Sequence, residues 1–218
     1  MKHLSLILII LILSCCPLHP AYAFFDKDIR LLTMRDGLAD NTIPCIYKDE
    51  DGFMWFGTDN GLSRYDGKTI QNFKPANTYV SIAAIVRLSD DFLGIVSDGY
   101  LYYFNRKRET FLPIHTESDT AIGVFNVLPA DDSSFWGISG NRLILCQWEI
   151  QQGKEEEKTA VRVRIQKTFQ LLEEKGEVFS SLCYHEKAGS GIWLTTNRGN
   201  LILFHPDTPG AYQKIPLT

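Results

Sequence analysis

Residues 52–67 read GFMWFGTDNGLSRYDG and decide the fold. A strand around Trp55 runs into the turn Asp59-Asn60-Gly61, and a second strand starts at Leu62. Asn-Gly is a dipeptide that two-residue hairpin turns favour, because both of its residues can adopt positive φ angles. The stretch therefore predicts an antiparallel β-hairpin closed by a tight turn.

The same outline returns three times along the chain. It recurs in residues 91–105 (DFLGIVSDGYLYYFN), 135–146 (FWGISGNRLILC) and 192–204 (IWLTTNRGNLILF). The first two intervals are roughly 40 residues, the period of a four-stranded propeller blade. The third interval is longer by about fifteen residues, and we interpret the polar stretch QQGKEEEK at residues 151–158 as an extended, solvated hairpin loop that accounts for the difference.

Blade one can be divided into strands at residues 42–48, 53–58, 62–65 and 69–73, with Asp66-Gly67 as the last turn. The innermost strands of the later blades are predicted at residues 81–88, 123–128 and 179–184. No helical periodicity of useful length is present. The predicted fold class is all-β: an antiparallel, partial or open β-propeller of about four four-stranded blades, with residues 29–33 as a partial extra strand.

Residues 1–23 have the pattern of a signal peptide. Lys2 precedes the apolar run at residues 4–13, and Ala21-Tyr22-Ala23 supplies small residues for cleavage near Ala23. The run is shorter than the roughly 20 residues that span a bilayer, so we expect export and no membrane span in the mature chain, residues 24–218. Lipidation at Cys15 or Cys16 is an alternative, although the residues before them match its pattern imperfectly.

Composition limits the function classes. The chain has 218 residues, of which 44% are hydrophobic and 12% aromatic, enough to form a packed core. With 22 basic and 26 acidic residues, the net charge is −4. This balance favours neither nucleic acid nor an anionic membrane surface as a partner.

The repeated tryptophans and the mature cysteines fit core packing. Trp55, Trp136 and Trp193 occupy one equivalent position and are expected to fill the wedge between blades. Trp148 lies outside this register, and edge packing is favoured over an exposed sugar-stacking ring. The three mature cysteines lie in apolar strand-like runs, and we expect small buried hydrophobic residues rather than a disulfide or metal site. They are Cys45, Cys146 and Cys183.

The sequence assigns no catalytic, cofactor-binding or metal-binding residue, and no ligand-binding residue. Many of its acids lie in turns, where hydrogen bonds to the local backbone explain them. These include Asp51, Asp59, Asp66 and Asp98. The mature histidines, His115, His185 and His205, lack metal-ligand spacing. A glycan hydrolase or lyase, which needs carboxylates that converge on one pocket, is therefore a minor alternative.

Residues 34–67, MRDGLADNTIPCIYKDEDGFMWFGTDNGLSRYDG, resemble the opening repeat of the two-component regulator propeller family. That family forms the sensor regions of hybrid histidine kinase and response regulator proteins of Bacteroidetes. The resemblance is carried by Asp36-Gly37-Leu38, Asn41, Asp49, Gly52, Trp55, Gly57-Thr58, Gly61-Leu62 and Tyr65-Asp66-Gly67. It is close over blade one and loose over the other blades, since blade two lacks the tryptophan and blade three has Gly140-Asn141 at its turn.

The resemblance implies a periplasmic sensor that binds oligosaccharides from glycan breakdown and signals to genes for polysaccharide use. Family members continue into a transmembrane helix, a kinase and DNA-binding parts, none of which this sequence contains, so the chain itself is expected not to be an enzyme. A scaffold or protein-interaction module is the alternative. Open propeller edges could also allow self-association, and the separation of Cys45 and Cys183 on the innermost strands would test ring closure.

Overall fold

A computed structural model of the chain describes residues 29–74, 80–116, 122–151, 160–185, 191–208 and 212–216. The chain divides into two compact units, Met1–Leu31 and Leu32–Thr218. Of the first unit, residues 29–31 are described, and they are exposed and irregular. The predicted leader, residues 1–23, lies outside the described residues. Within the described ranges, no helix has the length and apolar character needed to cross a bilayer.

The second unit is built of four β-sheets whose strands pair antiparallel, as the sequence predicts, except for one short parallel strand in sheet three. Sheet one has the order β1-β2-β3-β4 and sheet two the order β5-β6-β7-β8. The strands of sheet one are β1 (Cys45–Lys48), β2 (Met54–Thr58), β3 (Gly61–Tyr65) and β4 (Ile70–Phe73). The strands of sheet two are β5 (Ile82–Arg87), β6 (Phe92–Ser97), β7 (Tyr100–Asn105) and β8 (Thr110–Pro113).

Sheet three has five strands in the order β10-β11-β12-β13-β9, and sheet four has the order β14-β15-β16-β17. Strand β9 (His115–Thr116) follows sheet two in sequence but pairs in parallel with the outermost strand of sheet three. The other strands of sheet three are β10 (Asn126–Asp131), β11 (Ser134–Ser139), β12 (Arg142–Gln151) and β13 (Ala160–Gln170). The strands of sheet four are β14 (Phe179–Tyr184), β15 (Ile192–Thr196), β16 (Asn200–Phe204) and β17 (Tyr212–Pro216).

Tight turns set the register of each sheet. In sheet one, Thr58 pairs with Gly61 across the Asp59-Asn60 turn, and the Thr58 hydroxyl donates a hydrogen bond to the Gly61 carbonyl at 2.8 Å. Gly61 has φ +112°, and a Cβ there would lie 2.7 Å from the Phe73 carbonyl oxygen. Glycine is therefore required at this turn both by the backbone conformation and by the close approach of β4.

The sheets stack face to face around three hydrophobic clusters. The first joins sheets one and two, the second joins sheets two and three, and the third joins sheets three and four. The innermost strands β1, β5, β10 and β14 contact one another in that order. This is the arrangement of adjacent propeller blades, so the predicted all-β partial propeller is confirmed.

The prediction that the repeated tryptophans fill the wedge between blades holds for two of the three. Trp55 and Trp136 are buried, with exposed fractions of 0% and 5%, and each packs against the following sheet. Trp193 is half-buried, on the face of sheet four opposite to sheet three. Trp148 is buried, stacks on Phe135 and packs in the hydrophobic cluster between sheets two and three, so it is neither an exposed sugar-stacking ring nor an edge residue.

Other sequence predictions need correction. Residues 29–33 form no strand, and the inner strand predicted at 123–128 begins at Asn126, because Val124 donates its backbone N–H to Gly99 of sheet two. Cys146 is buried and Cys45 half-buried, but Cys183 is exposed. The predicted loop at residues 151–158 lies outside the described residues after Gln151, although β12 and β13 pair up to its two ends.

Candidate functional site

A cavity with a volume of about 210 Å³ lies between sheets one and two. It is formed at one end of the strands, where the β1–β2, β5–β6 and β7–β8 turns meet. Most of its lining side chains are charged or can hydrogen-bond. The lining residues are Tyr47, Asp49, Glu50, Asp51, Arg87, Ser89, Asp90, Leu93 and Arg106.

Asp49 and Arg106 form the floor of this cavity. The Asp49 side chain is 3% exposed, and its Oδ2 accepts hydrogen bonds from the Trp55 indole at 2.7 Å and from Arg106 at 2.9 Å. Its Oδ1 accepts from the backbone N–H of Phe53 at 2.8 Å. A carboxylate that is buried to this degree needs such partners, because an unpaired buried charge is strongly unfavourable.

Arg106 connects three turns. Its guanidinium donates to Asp49 and to the Asp51 carboxylate of sheet one, and to the backbone carbonyl of Asp90 in sheet two at 2.6 Å. The planar guanidinium has five donors in a fixed arrangement, which suits it to hold several acceptors at once. Arg106 therefore fixes the relative position of the turns that surround the cavity.

The opposite wall of the cavity is more exposed. Arg87 lies 2.6 Å from Asp90 and 3.5 Å from Glu50. Burial raises the pKa of the nearby Tyr47 hydroxyl, so this group stays protonated and can donate a hydrogen bond. With four carboxylates and two guanidinium groups, the lining has a net negative charge.

A second contact ties the same two sheets together beside the cavity. Glu109 accepts hydrogen bonds from Arg64 at 3.2 Å and from Gln71 at 2.9 Å. The Arg64 guanidinium also lies 5.1 Å from the ring centroid of Phe53 and 5.5 Å from that of Trp55. Glu109 has φ +55°, a conformation that is uncommon outside glycine, so the contact is made at some backbone strain.

The predicted local role of the turn acids holds in part. Asp66 accepts hydrogen bonds from Lys68 and Thr69, and those from Thr69 contribute most to lowering its pKa to about 2. Asp59 instead accepts from the Ser81 hydroxyl of the next blade at 2.7 Å. Asp51, which we expected to bond to its own backbone, pairs with Arg106.

The histidine and metal predictions receive a limited test. The ring of His185 lies 5.5 Å from that of Trp193 in sheet four. Within the described ranges, no group of three or more histidine, cysteine, aspartate or glutamate side chains is arranged to hold a metal ion. The side chain of His115 lies outside the described residues.

The arrangement at the cavity suits the binding of a hydroxyl-rich ligand. Carboxylate oxygens accept hydrogen bonds from hydroxyl groups, and guanidinium groups donate to hydroxyl oxygens.

Sequence reasoning did not identify Tyr47, Arg87 or Arg106 as neighbours of one cavity. Arg106 lies 57 residues after Asp49, and no local pattern links the two positions. The sequence did contain one signal for such a partner. Asp49 lies between two apolar strands, shortly before Trp55, and a carboxylate buried there needs a cationic or hydrogen-bonding partner.

Residues 37–60 match the model of the family described as two component regulator propeller. The resemblance predicted from blade one is thereby confirmed over this segment. The matched segment contains Asp49 and Asp51 of the cavity and Trp55 beneath it. A comparison with curated proteins found no sequence match.

Solved structures with a similar fold include two extracellular domains from B. thetaiotaomicron. That of BT3049, described as a hybrid two component system, has 14% identity and a TM-score of 0.51, with 84% of this chain covered. That of BT4673, described as a one component system, has 17% identity and a TM-score of 0.50, with 79% covered. The chain spans 31% and 28% of these two structures.

The fold is shared beyond such systems. YCF48 from Cyanidioschyzon merolae has 16% identity to the chain and a TM-score of 0.51, with 84% of this chain and 56% of that chain covered. At these identities the likeness establishes the propeller fold and leaves function to be argued from the site and from the matched repeat.

Proposed function

We propose that this chain is the ligand-binding propeller region of a two-component-type sensor, and that its ligand is an oligosaccharide released by glycan breakdown. The match of residues 37–60 to the two component regulator propeller model carries the proposal. The signal-peptide pattern of residues 1–23 supports a periplasmic location after cleavage near Ala23. In this proposal the chain binds the ligand and performs no phosphoryl transfer.

The cavity between sheets one and two supports this function physically. A ligand held there would contact turns of both blades, which Arg106 and Asp49 already join at 2.9 Å. Arg87, whose side chain is 39% exposed, and Glu50, whose side chain is 73% exposed, are available at its rim. These groups can exchange water for sugar hydroxyls at small desolvation cost.

The direct test is titration of the purified full chain with an array of oligosaccharides prepared from plant and host glycans. We expect saturable binding of one glycan class, weakened several-fold by Arg87→Ala. Lys107→Ala is the matched control, because Lys107 pairs with Asp91 on the surface outside the cavity lining. Absence of binding to every glycan would contradict the proposal.

A second experiment addresses the route of signalling. The native product is detected in envelope fractions with an antibody to residues 24–218. A species several times larger than 24.8 kDa would show that this region is part of a sensor kinase. A free product slightly below 24.8 kDa would rule out direct signalling and leave a truncated sensor remnant or a soluble binding module.

A scaffold or protein-interaction module is the second candidate, favoured by one face of sheet four. Trp193, Leu201 and Leu203 lie on the face opposite to sheet three and are only half-buried. Such a face could also support self-association, because sheets one to three bury the equivalent face against another sheet. Recovery of a protein partner or of a dimer, without glycan binding, would support this candidate.

A further inference from the structure

Phe125 is an aromatic residue that the fold holds at the surface. Its side chain is 61% exposed, whereas the preceding Val124 is fully buried between sheets two and three. Phe125 lies just before β10, at the end of the sheets where the β6–β7 and β11–β12 turns are found.

The backbone at Phe125 is fixed from both sides. Val124 donates its N–H to the Gly99 carbonyl of sheet two at 2.8 Å, and Phe125 donates its own to the Ile138 carbonyl of sheet three at 3.0 Å. The segment therefore bridges two blades through backbone hydrogen bonds. Because this backbone is already fixed, a ligand that binds the Phe125 side chain causes little further loss of backbone entropy.

The ring lies against a glycine. A Cβ built on Gly99 would be 3.2 Å from the Phe125 Cε1 atom and 3.6 Å from its Cζ atom. Gly99 itself has φ +81°, a conformation that side chains rarely adopt. The absence of a side chain at position 99 thus provides the space in which one edge of the Phe125 ring sits, while most of the ring faces solvent.

Asp98, in the same turn, adds a polar group, and the Asp98-Gly99 pair has the positive φ angles that a two-residue hairpin turn requires. Asp98 is exposed, and its φ is +50°, one of two positive values among the described residues other than glycine. Its Oδ2 atom is 3.4 Å from the Ser97 hydroxyl, a long contact that leaves the carboxylate oxygens with acceptor capacity.

An exposed aromatic ring on a hydrogen-bonded backbone, in contact with the glycine that follows an exposed carboxylate, offers both surfaces that a sugar ring can bind. The aromatic surface packs on the apolar C–H face of a pyranose, and the acceptor binds a hydroxyl at its edge. We propose that Phe125 is a stacking platform for one sugar residue of an oligosaccharide and that Asp98 accepts a hydrogen bond from that sugar. This inference rests on the proposed function and adds a site to it.

The platform is separate from the cavity between sheets one and two. Leu93, near the start of β6, lines the cavity, and Gly99 follows the end of the same strand. A strand rises roughly 3.3 Å per residue, so the two sites lie roughly 15–20 Å apart along β6. An oligosaccharide of a few residues bound at the platform would therefore be a distinct binding event.

The test titrates the full chain with the oligosaccharides of the array described above and follows the binding event that Arg87→Ala leaves unchanged. We expect Phe125→Ala to weaken binding about five- to tenfold, as loss of one aromatic contact does. Gly99→Ala should weaken it as well by displacing the ring, and Asp98→Asn should weaken it less. Tyr212→Ala is the matched control, because Tyr212 is a 40% exposed aromatic residue on the last strand of sheet four.

Each outcome separates this inference from the proposed function. Binding that falls in Phe125→Ala and stays unchanged in Tyr212→Ala supports the platform. Binding that survives Phe125→Ala, with an unchanged thermal unfolding midpoint, overturns the platform and leaves glycan binding in place. If the unaltered chain binds no oligosaccharide, the proposed function fails and the platform fails with it.

Discussion

Arg106 of sheet two donates a hydrogen bond of 2.9 Å to the Asp49 carboxylate of sheet one, and the same oxygen accepts from the Trp55 indole. One buried oxygen therefore links the core of the first blade to a turn of the second. The adjacent blades are joined by charge and hydrogen bonding at the end where they enclose the cavity, in addition to the hydrophobic cluster between them.

Replacement of Asp49 should weaken the joint between blades. In Asp49→Ala the Trp55 indole N–H loses its buried acceptor and Arg106 loses one carboxylate. We expect unfolding free energy to fall by about 2–4 kcal/mol in urea titrations. Lys107→Ala removes an exposed ion pair and should change stability by less than about 1 kcal/mol. Equal effects of the two substitutions would contradict the assigned role of Asp49.

Gly57 should tolerate no side chain. A Cβ at this position would lie 2.4 Å from the Cys45 sulfur and 2.9 Å from the backbone carbonyl of Ile82 in the next blade. Gly57→Ala must push sheets one and two apart, and we expect a loss of at least about 2 kcal/mol in unfolding free energy. Gly123→Ala, whose Cβ would meet only the Gly99 carbonyl at 4.0 Å, is the control and should be nearly neutral.

Stability should fall in acid partly through Glu177. Its side chain is fully buried, and hydrogen bonds from Asn200, followed by those from Thr196 and Lys214, lower its pKa. A carboxyl group whose pKa is lower in the folded than in the unfolded state stabilises the fold at pH values above its unfolded-state pKa, about 4.3 for glutamate. This stabilisation is lost as the pH falls through the folded-state pKa. Thermal unfolding midpoints from pH 7 to pH 3 should show this decline.

Glu177→Gln provides the control for that pH dependence. It removes the titrating group while keeping a side chain of the same size, so its unfolding midpoint should be lower at pH 7 and depend less on pH below 5. A variant curve parallel to that of the unaltered chain would show that other carboxyl groups, such as the exposed Asp66, account for the decline.

The three mature cysteines should differ in reactivity. Burial raises the pKa of the Cys45 thiol to about 11 and that of Cys146 to about 12, whereas Cys183 is exposed. Because the thiolate is the reactive form, a thiol reagent at pH 8 should modify Cys183 in the folded chain and the other two only after unfolding. Peptide mapping after brief labelling identifies the sites, and rapid labelling of Cys146 would contradict the assigned burial.

Sequence reasoning succeeds where the information is local. The Asp59-Asn60-Gly61 turn and the alternating strands around it predict the hairpin, and the observed β2 and β3 differ from the prediction by one residue at one end each. The repeat period then extends this hairpin to the other blades. Strand β14, Phe179–Tyr184, has the bounds that the sequence predicts.

The remaining features depend on contacts between distant residues. Cys183 lies in the strand run Leu182-Cys183-Tyr184 and was expected to be buried, but strand alternation places it opposite Trp193 on the more exposed face of sheet four. The cavity combines turns from two blades, so its members cannot be grouped before the blades are stacked. Phe125 is held at the surface by two backbone hydrogen bonds, one from Val124 to sheet two and one from Phe125 to sheet three.

The pairing of strand β9 with sheet three affects how the second and third blades separate during unfolding. The chain that leaves sheet two adds His115–Thr116 to the outer edge of sheet three before it enters that sheet at β10. Separation of sheet three from sheet two therefore also has to break the two residue pairs that join β9 to β13. Under a stretching force, this pairing should raise the force at which the second and third blades separate.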